Sequence, residues 1–366
     1  MVRRLEGGKV GRSLFWALTI FLLIEVSLQV RAHFRYGASI FNAVANQQTY
    51  QFNEDLQLKL LRPSSVISGS EAIVETNSLG LRSPELGVEK RADELRVAIL
   101  GASTVMGTYT KNNEDVLSYR LQAHLEASFP ERDVQVINGG IAGYILAEQQ
   151  GMLERVLQPL DLDLLVWHPG SNDVSLYCRQ QAAPASHGLP TLKLPKWLLS
   201  VELVVKNTVW LRSASSKEGG SSKETSKVVD IPIFRQRVNH LLDSAKNMDI
   251  PLMTLASAKA FRREMVQSEQ VRLSETAIYY NHCFDLDELY EVYDQHNEQL
   301  IEASRDRGFP TLRLDRLVPG GDKYFGDATH FTAQGTDYVA SLVADEIIRL
   351  NLLGKTSNPD LPGDAR

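Results

Sequence analysis

The sequence predicts an α/β protein, a doubly wound α/β/α sandwich with a five-stranded parallel sheet, preceded by one N-terminal transmembrane helix. Three observations predict it. Apolar runs with strand character alternate with helical patterns between residues 96 and 350. The run from Leu162 to His168 is almost continuously apolar, as is typical of a central parallel strand. A longer apolar stretch, from Leu14 to Val30, precedes the alternation.

The alternating elements predict the order of the fold. Strands are predicted at Arg96 to Gly101, Asp133 to Asn138, Leu162 to His168, Pro251 to Ser257 and Thr311 to Leu314. Helices are predicted at Asn113 to Phe129, Ile145 to Leu157, Phe234 to Met248, Leu286 to Arg307 and Ala333 to Leu350. A strand followed by a helix and a parallel strand is the repeating unit of a doubly wound sheet.

Two segments interrupt this alternation. The apolar segment from Leu198 to Leu211 suits a packed helix, a lid or a contact with the membrane surface, and we favour the packed helix. The segment from Ser213 to Lys227 is polar and of low complexity, which indicates a mobile loop. We therefore expect a flexible insertion around residues 179 to 230.

The whole chain divides into four predicted parts. Residues 1 to 32 form a basic cytoplasmic tail and a membrane anchor, and residues 33 to 90 form a lead-in segment that packs on the main domain. Residues 91 to 352 form the main domain, and residues 353 to 366 form a polar tail. The 366 residues suffice for a sizeable core.

The apolar stretch predicts an uncleaved anchor. As a helix it spans about 25 Å, close to the ~30 Å of a bilayer core. Val30 to Ala32 loosely fits a signal-peptidase site, which leaves a cleaved signal as the alternative. Glu25 and Gln29 lie near the C-terminal end, where we expect them to snorkel to the interface.

Charges around the anchor predict its orientation. Four basic residues precede the apolar stretch, and only two follow it closely: Arg3, Arg4, Lys9 and Arg12 before it, Arg31 and Arg35 after it. The positive-inside rule then places the N-terminus in the cytoplasm and the rest of the chain on the outer side of the cell membrane, in the periplasm. The net charge of −6, without a dense basic stripe, argues against a nucleic-acid partner.

The two cysteines, Cys178 and Cys283, leave two alternatives. They form one disulfide if the domain lies in an oxidising compartment, and otherwise they are two buried thiols. Neither they nor the eight histidines have the spacing of metal ligands, so we expect no metal and no cofactor. His168 is interpreted as a packing residue or a neighbour of the site.

Four segments at strand ends carry residues suited to chemistry, and each has an ordinary structural explanation as a turn or a helix cap. They are Gly101 to Thr104, Asn138 to Gly143, Pro169 to Asp173 and Asp327 to His330. Ligands bind at the carboxyl ends of strands in such sheets. Together the four segments offer a hydroxyl nucleophile, a histidine three residues after a carboxylate, and hydrogen-bond donors, which is the equipment for acyl transfer.

These segments resemble the four sequence blocks of the SGNH hydrolases, the GDSL-type esterases and lipases. The third block, Gly-x-Asn-Asp, is found at Gly170 to Asp173, and the last, Asp-x-x-His, at Asp327 to His330. The resemblance covers roughly residues 91 to 350. The segment Asn77 to Ser83 is similar to the lead-in of membrane-anchored bacterial members of the family.

The resemblance implies a role for each site residue. Ser103 is the nucleophile, His330 the base and Asp327 the carboxylate that orients it. The oxyanion hole consists of the Ser103 N–H, the Gly143 N–H and the Asn172 side-chain amide, with Gly140 as the alternative glycine. The chain departs from the family at Ala102, where the usual block has Asp before the nucleophile. That Asp is not the triad carboxylate, so the chemistry remains available.

The expected function is that of a serine esterase on O-acyl, for instance O-acetyl, esters of cell-envelope carbohydrate or lipid. Two alternatives remain open: an O-acyltransferase on an exported polysaccharide, and a non-catalytic membrane-tethered carbohydrate-binding protein. A nucleotide-binding Rossmann domain is disfavoured because the first strand is not followed by Gly-x-Gly-x-x-Gly. An α/β-hydrolase elbow is disfavoured because Val105 stands where Gly-x-Ser-x-Gly has its second glycine.

Overall fold

A computed structural model describes residues 3–36, 49–68, 72–87, 89–181, 199–200 and 232–354. The chain forms two compact units, the first comprising residues 1–49, 67–72 and 185–223, the second residues 50–66, 73–184 and 224–366. Most of the predicted insertion, including the loop at 213–227 and all but two residues of the apolar segment at 198–211, lies outside the described residues.

The first unit contains one long helix, α1 (Arg3–Tyr36). Its portion from Gly11 to Arg31 is long and apolar enough to cross a membrane, and a signal sequence has the same character. Glu25, which lies towards the C-terminal end of this portion, is 7% exposed. Its carboxylate accepts hydrogen bonds from Gln29 Nε2 at 2.7 Å and from the backbone N–H groups of Leu199 and Ser200, each at 2.9 Å.

The second unit is built around a five-stranded sheet in which every neighbouring pair is parallel. The strand order is β6-β5-β7-β8-β9. The strands are β5 (Glu94–Gly101), β6 (Asp133–Gly140), β7 (Leu164–His168), β8 (Leu252–Leu255) and β9 (Thr311–Leu312). The predicted α/β class, parallel sheet and strand count are confirmed.

The register brings the ends of three strands together. Gly101, the last residue of β5, lies opposite Gly140 on β6 and opposite His168 on β7. The chain leaves all three strands at the same edge of the sheet, because all of them are parallel. This edge gathers three of the four segments singled out in the sequence.

Helices cover both faces of the sheet. The short helix α2 (Ser103–Met106) follows β5, and α3 (Leu117–Ser128) packs against the last helix of the fold. Within the described residues the second unit also has α4 (Leu146–Met152), α5 (Val174–Gln181), α6 (Pro232–Asn247), α7 (Gln267–Leu273), α8 (Glu275–Tyr280), α9 (Leu286–Asp306), α10 (Leu314–Leu317) and α11 (Ala333–Arg349). α4 and α9 pack against α6.

Several elements differ from the prediction. The helix predicted from residue 113 begins instead at Leu117, after a 3-10 turn at Asn113–Asp115, because Val116 is extended. The helix predicted from 145 to 157 passes from α helix into a π turn at Leu153–Leu157. The short helices α7 and α8 were not predicted, since neither is long enough for a helical period to be evident.

The lead-in contains short strands that the sequence did not indicate. β1 (Tyr50–Asn53) and β2 (Leu58–Leu61) form an antiparallel hairpin, and β3 (Val66–Ser68) and β4 (Ile73–Glu75) follow. Arg82 is 1% exposed, and its guanidinium donates to Asn113 Oδ1 and to the carbonyl of Gly107, both at 2.8 Å. Burial lowers the pKa of Arg82 to about 10. This lead-in residue is therefore held by the loop that follows α2.

The two cysteines are joined. Cys178 on α5 and Cys283, shortly after α8, form a disulfide across a sequence separation of 105 residues. The alternative of two buried thiols is wrong. The bridge fixes α5, which follows the Gly170 to Asp173 segment, to the chain that leaves α8.

Candidate active site

The first predicted site residue lies at the start of α2, directly after β5. Gly101 is needed for the turn because a Cβ there would lie 2.5 Å from Val105 Cγ2 and 2.6 Å from the carbonyl oxygen of His168. Ala102 then leads into the helix, in which Ser103 is the first residue. The N–H of a first helical residue has no acceptor within its helix. Ser103 therefore presents its hydroxyl and its N–H at the same strand end.

The last predicted segment forms a tight turn in which a carboxylate binds a histidine. His330 Nδ1 lies 2.7 Å from Asp327 Oδ2 and 2.9 Å from Asp327 Oδ1. The backbone N–H groups of Thr329 and His330 also donate to Oδ1, each at 2.9 Å. The carboxylate thus holds both the ring and the backbone that carries it, as the spacing of three residues predicts.

Ser103 and His330 meet across the edge of the sheet. The Ser103 Oγ lies 2.8 Å from His330 Nε2, within hydrogen-bond distance. Because Nδ1 faces the carboxylate and donates to it, Nε2 is left as the acceptor for the serine hydroxyl. The three side chains form one continuous chain of hydrogen bonds from Asp327 to Ser103.

The environment of Asp327 keeps its carboxyl ionised. Burial alone raises its pKa, but the hydrogen bonds from the His330 ring and from two backbone N–H groups outweigh burial and lower the pKa below its ordinary value of 3.8. The ring of Tyr109 lies beside that of His330, with 5.6 Å between centroids. Burial, followed by the charge of Asp327, raises the pKa of Tyr109. Tyr109 therefore stays protonated beside the carboxylate.

The two other predicted donors lie on the neighbouring strand ends. Gly143 follows β6 and has a φ of +85°, in the left-handed region that glycine adopts without strain. Asn172 follows β7, and its Nδ2 donates to the carbonyl of Tyr144 at 2.9 Å. An amide nitrogen carries two hydrogens, so one remains for a ligand. Both residues line the same pocket as Ser103 and His330.

The alternative glycine, Gly140, is unsuited to the oxyanion role. Its N–H donates to the side chain of Asn138 at 3.0 Å. A Cβ at this position would lie 2.4 Å from the backbone nitrogen of Met106, so this glycine permits α2 to approach β6. By contrast, no described atom accepts a hydrogen bond from the Gly143 N–H. Gly143 is the better candidate.

Asp173 supports this arrangement from behind. It is 5% exposed, and its carboxylate accepts from the Leu146 N–H at 2.9 Å and from the Arg237 guanidinium at 2.9 Å. Burial raises the pKa of Asp173, while these two partners act in the opposite direction. Asp173 thereby joins the Asn172 turn to the start of α4 and to α6.

The pocket in front of Ser103 has a volume of about 350 Å³. Its wall includes residues that the motifs did not indicate, namely Thr276, Ala277 and Tyr280 from α8, and Asn281 and Tyr293 beyond it. Thr276 Oγ1 accepts a hydrogen bond from the Ala328 N–H at 3.0 Å, so α8 also holds the turn that carries His330. No sequence signal could have found these residues, since α8 itself was not predicted.

His168 does not line the pocket, which agrees with its interpretation as a packing residue. It is 3% exposed, and within the described part of the chain neither ring nitrogen has a hydrogen-bond partner. Burial lowers its pKa to about 4, so the ring is neutral near pH 7. Among the described residues there is also no group of three or more His, Cys, Asp or Glu side chains that could hold a metal ion.

Comparison with known proteins gives similarity to solved structures alone; no protein-family model and no curated protein matches the chain. A lipase/acylhydrolase from Enterococcus faecalis is 14% identical, with a TM-score of 0.43 over 69% of this chain and 95% of that one. The acetyl xylan esterase AlAXEase is 14% identical, with a TM-score of 0.43 over 69% of this chain and 100% of that one.

The acetylxylan esterase Axe2 from Geobacillus stearothermophilus is 13% identical, with a TM-score of 0.43 over 70% of this chain and 95% of that one. Likeness of this degree carries no inference about the chemistry of the present chain. The functional conclusion therefore depends on the geometry of its own residues.

Proposed function

We propose that the chain is a serine esterase that hydrolyses O-acyl esters. One observation carries the proposal: the continuous hydrogen-bond chain from Asp327 through His330 to the Ser103 hydroxyl. A serine hydroxyl on a histidine that is oriented by a carboxylate is the arrangement that activates a serine nucleophile. A turn or a helix cap needs neither of these two contacts.

The reaction begins with proton transfer. His330 Nε2 takes the proton of the Ser103 hydroxyl while the oxygen attacks the ester carbonyl. Asp327 keeps the ring oriented and stabilises its positive charge. His330 then gives the proton to the leaving alcohol, and the acyl group remains on Ser103. A water molecule, activated by the same ring, releases the acid and restores the serine.

Negative charge on the carbonyl oxygen is stabilised by three donors in this proposal. They are the N–H groups of Ser103 and Gly143 and the second amide hydrogen of Asn172. Each such donor contributes about 2.7–4 kcal/mol to the transition state in comparable sites. Ser103, Gly143 and Asn172 line one pocket at the edge where β5, β6 and β7 end, which supports this assignment.

The pocket and the location narrow the substrate class. A volume of about 350 Å³ is at the small end of ligand pockets, so we favour short acyl groups such as acetyl. The basic excess before the apolar helix supports a location of the domain outside the cytoplasm, and the disulfide suits an oxidising compartment. O-acylated carbohydrate or lipid of the cell envelope is the substrate class that this location offers.

The test uses the full chain in detergent. A fluorophosphonate probe should label Ser103, and acetyl esters, including acetylated sugars, should be hydrolysed faster than long-chain esters. Product analysis with added sugar acceptors distinguishes hydrolysis from acyl transfer. Absence of both labelling and turnover would contradict the proposal and favour the non-catalytic alternative.

A further inference from the structure

A lysine from the lead-in hairpin reaches the loop that contains Gly143. Lys59 lies on β2, and its Nζ donates a hydrogen bond to the carbonyl oxygen of Ala142 at 2.9 Å. The same Nζ would lie 3.6 Å from a Cβ at Gly143. It also faces the rings of Tyr50 and Tyr144, at 4.9 and 5.9 Å from their centroids. The ammonium of the half-buried Lys59 thus lies beside two aromatic rings and donates to one carbonyl.

That carbonyl belongs to the same peptide unit as the Gly143 N–H. All described peptide bonds are trans, and in a planar trans peptide the C=O and the N–H point in opposite directions. When Lys59 holds the Ala142 oxygen on its side, the Gly143 N–H must point away from Lys59. Gly143 lines the pocket in front of Ser103.

The orientation of the peptide between Ala142 and Gly143 needs an external contact, because its second residue is a glycine. Rotating the unit between Ala142 and Gly143 changes the φ of Gly143, and glycine adopts positive and negative φ about equally well. The chain itself therefore does little to keep the N–H in one direction. A charged hydrogen bond to the carbonyl fixes the direction, and it polarises the peptide so that the N–H becomes a stronger donor.

Two further contacts tie the hairpin to the same loop. The Tyr144 hydroxyl donates to the backbone carbonyl of Lys59 at 2.6 Å. The Tyr144 carbonyl in turn accepts from Asn172 Nδ2 at 2.9 Å. Tyr144 therefore connects β2 to Asn172, the proposed side-chain donor of the oxyanion hole.

We propose that Lys59 is a positioning residue for ester hydrolysis, which aims the Gly143 N–H at the developing oxyanion through the Ala142 carbonyl. The inference rests on the proposed function. It assigns a task to the lead-in, a segment outside the four sequence blocks. Lys59 does not line the pocket, so we expect its loss to affect the transition state more than substrate binding.

The test compares three variants of the full chain with wild type. Lys59→Met removes the hydrogen bond and should lower kcat by about 10²-fold, the lower end for loss of one oxyanion donor. KM should change by less than about threefold, because the carbonyl oxygen of the bound ester is neutral and gains negative charge only as the transition state is approached. Phosphonylation of Ser103 by the fluorophosphonate should slow in parallel. Lys59→Arg, which keeps a cationic donor, should recover at least about tenfold of the loss.

Lys90→Met is the matched control. Lys90 Nζ also donates to a backbone carbonyl, that of Asp161, at 3.0 Å, but at the other edge of the sheet, before β7 begins. Its kcat should stay within about threefold of wild type. Should Lys59→Met fail to fold, Lys59→Gln replaces it, with a neutral donor and an expected loss of about tenfold in kcat.

The outcomes separate the two proposals. Ester turnover that disappears in Ser103→Ala but is equal in Lys59→Met and wild type overturns the role of Lys59 alone. An equal loss in Lys59→Met and Lys90→Met, or a rise in KM with kcat unchanged, overturns it as well. A wild type without turnover or phosphonylation overturns the proposed function together with this inference.

Discussion

Ser103 Oγ lies 2.8 Å from His330 Nε2, although 227 positions separate the two residues in the sequence. Each of the two residues is positioned by contacts of its own. Ser103 is fixed by the turn at Gly101, and His330 is fixed by Asp327 and by the loop that Thr276 supports. Their contact therefore results from the whole sheet, and it is the relationship on which the proposed catalysis depends.

Ser103→Ala should abolish ester turnover and leave the fold intact. If Ser103 were only a helix residue, its loss would cost at most about 1 kcal/mol of stability and leave activity unchanged. As a nucleophile, its loss should lower kcat by several orders of magnitude. His330→Ala should cost about as much, and the double variant little more, because residues that act as a unit are not additive.

Steady-state kinetics and probe labelling check this prediction. Ser128→Ala is the control, since its hydroxyl donates to a carbonyl within α3, away from the pocket. Turnover or labelling that persists in Ser103→Ala would show that this serine only begins a helix.

Asn172→Ala should lower kcat by roughly 10²–10³-fold, as expected for one of three oxyanion donors. KM should change little, because the carbonyl oxygen of the bound ester is neutral and gains negative charge only as the transition state is approached. Asn112→Ala, at an asparagine that caps a 3-10 turn and does not line the pocket, should retain wild-type kcat. A rise in KM with unchanged kcat would instead assign Asn172 to substrate binding.

Replacement of both Cys178 and Cys283 by Ser should lower the free energy of unfolding by about 2–4 kcal/mol, because the bridge restricts a long loop in the unfolded chain. The variant should also bind substrate less tightly, since the chain after α8 loses its attachment to α5. Urea unfolding and KM measure the two effects. Equal stability of wild type with and without reductant would contradict the first.

Stability should fall as the pH drops from about 6.5 towards 4. The pKa of His168 is lowered by burial to about 4, and that of His296 by burial to about 3, whereas an unfolded histidine titrates near 6.5. Below 6.5 the unfolded chain binds protons that the folded chain does not. Each histidine then removes up to ~1.4 kcal/mol per pH unit within its window.

Urea unfolding at pH 7, 6 and 5 tests this dependence. His168→Leu should reduce the slope of the unfolding free energy against pH by up to ~1.4 kcal/mol per pH unit, the contribution of one proton. Val166→Ala, which weakens a neighbouring core position but keeps both imidazoles, should keep the wild-type slope. A slope that is the same in His168→Leu would mean that this ring does not remain neutral in the fold.

The domain after α1 should be accessible from outside the cell membrane. The basic excess before the apolar stretch from Leu14 to Val30 predicts this orientation. Protease added to intact spheroplasts should digest the domain, whereas a cytoplasmic marker enzyme should survive. Complete protection of the domain, with digestion only after lysis, would contradict this prediction and indicate the opposite orientation.

Periodicity and motif spacing were sufficient to predict much of the architecture. The five strands lie where the apolar runs are, because a buried parallel strand needs apolar side chains on both faces. The contact between Asp327 and His330 was also predictable, since a spacing of three residues lets the two side chains meet within one turn. Orientation and substrate remain predictions.

The tertiary structure decided what depends on contacts between distant segments. The sequence left Gly140 as an alternative to Gly143, and the structure separates the two glycines by the hydrogen bond of the Gly140 N–H to Asn138 and by the close approach of Met106 to Gly140. The wall of the pocket comes from α8, which is too short for its period to be read, and Lys59 reaches Ala142 across 83 positions. Local patterns fix where strands and turns form, but which side chains meet is set by the packing of the whole chain.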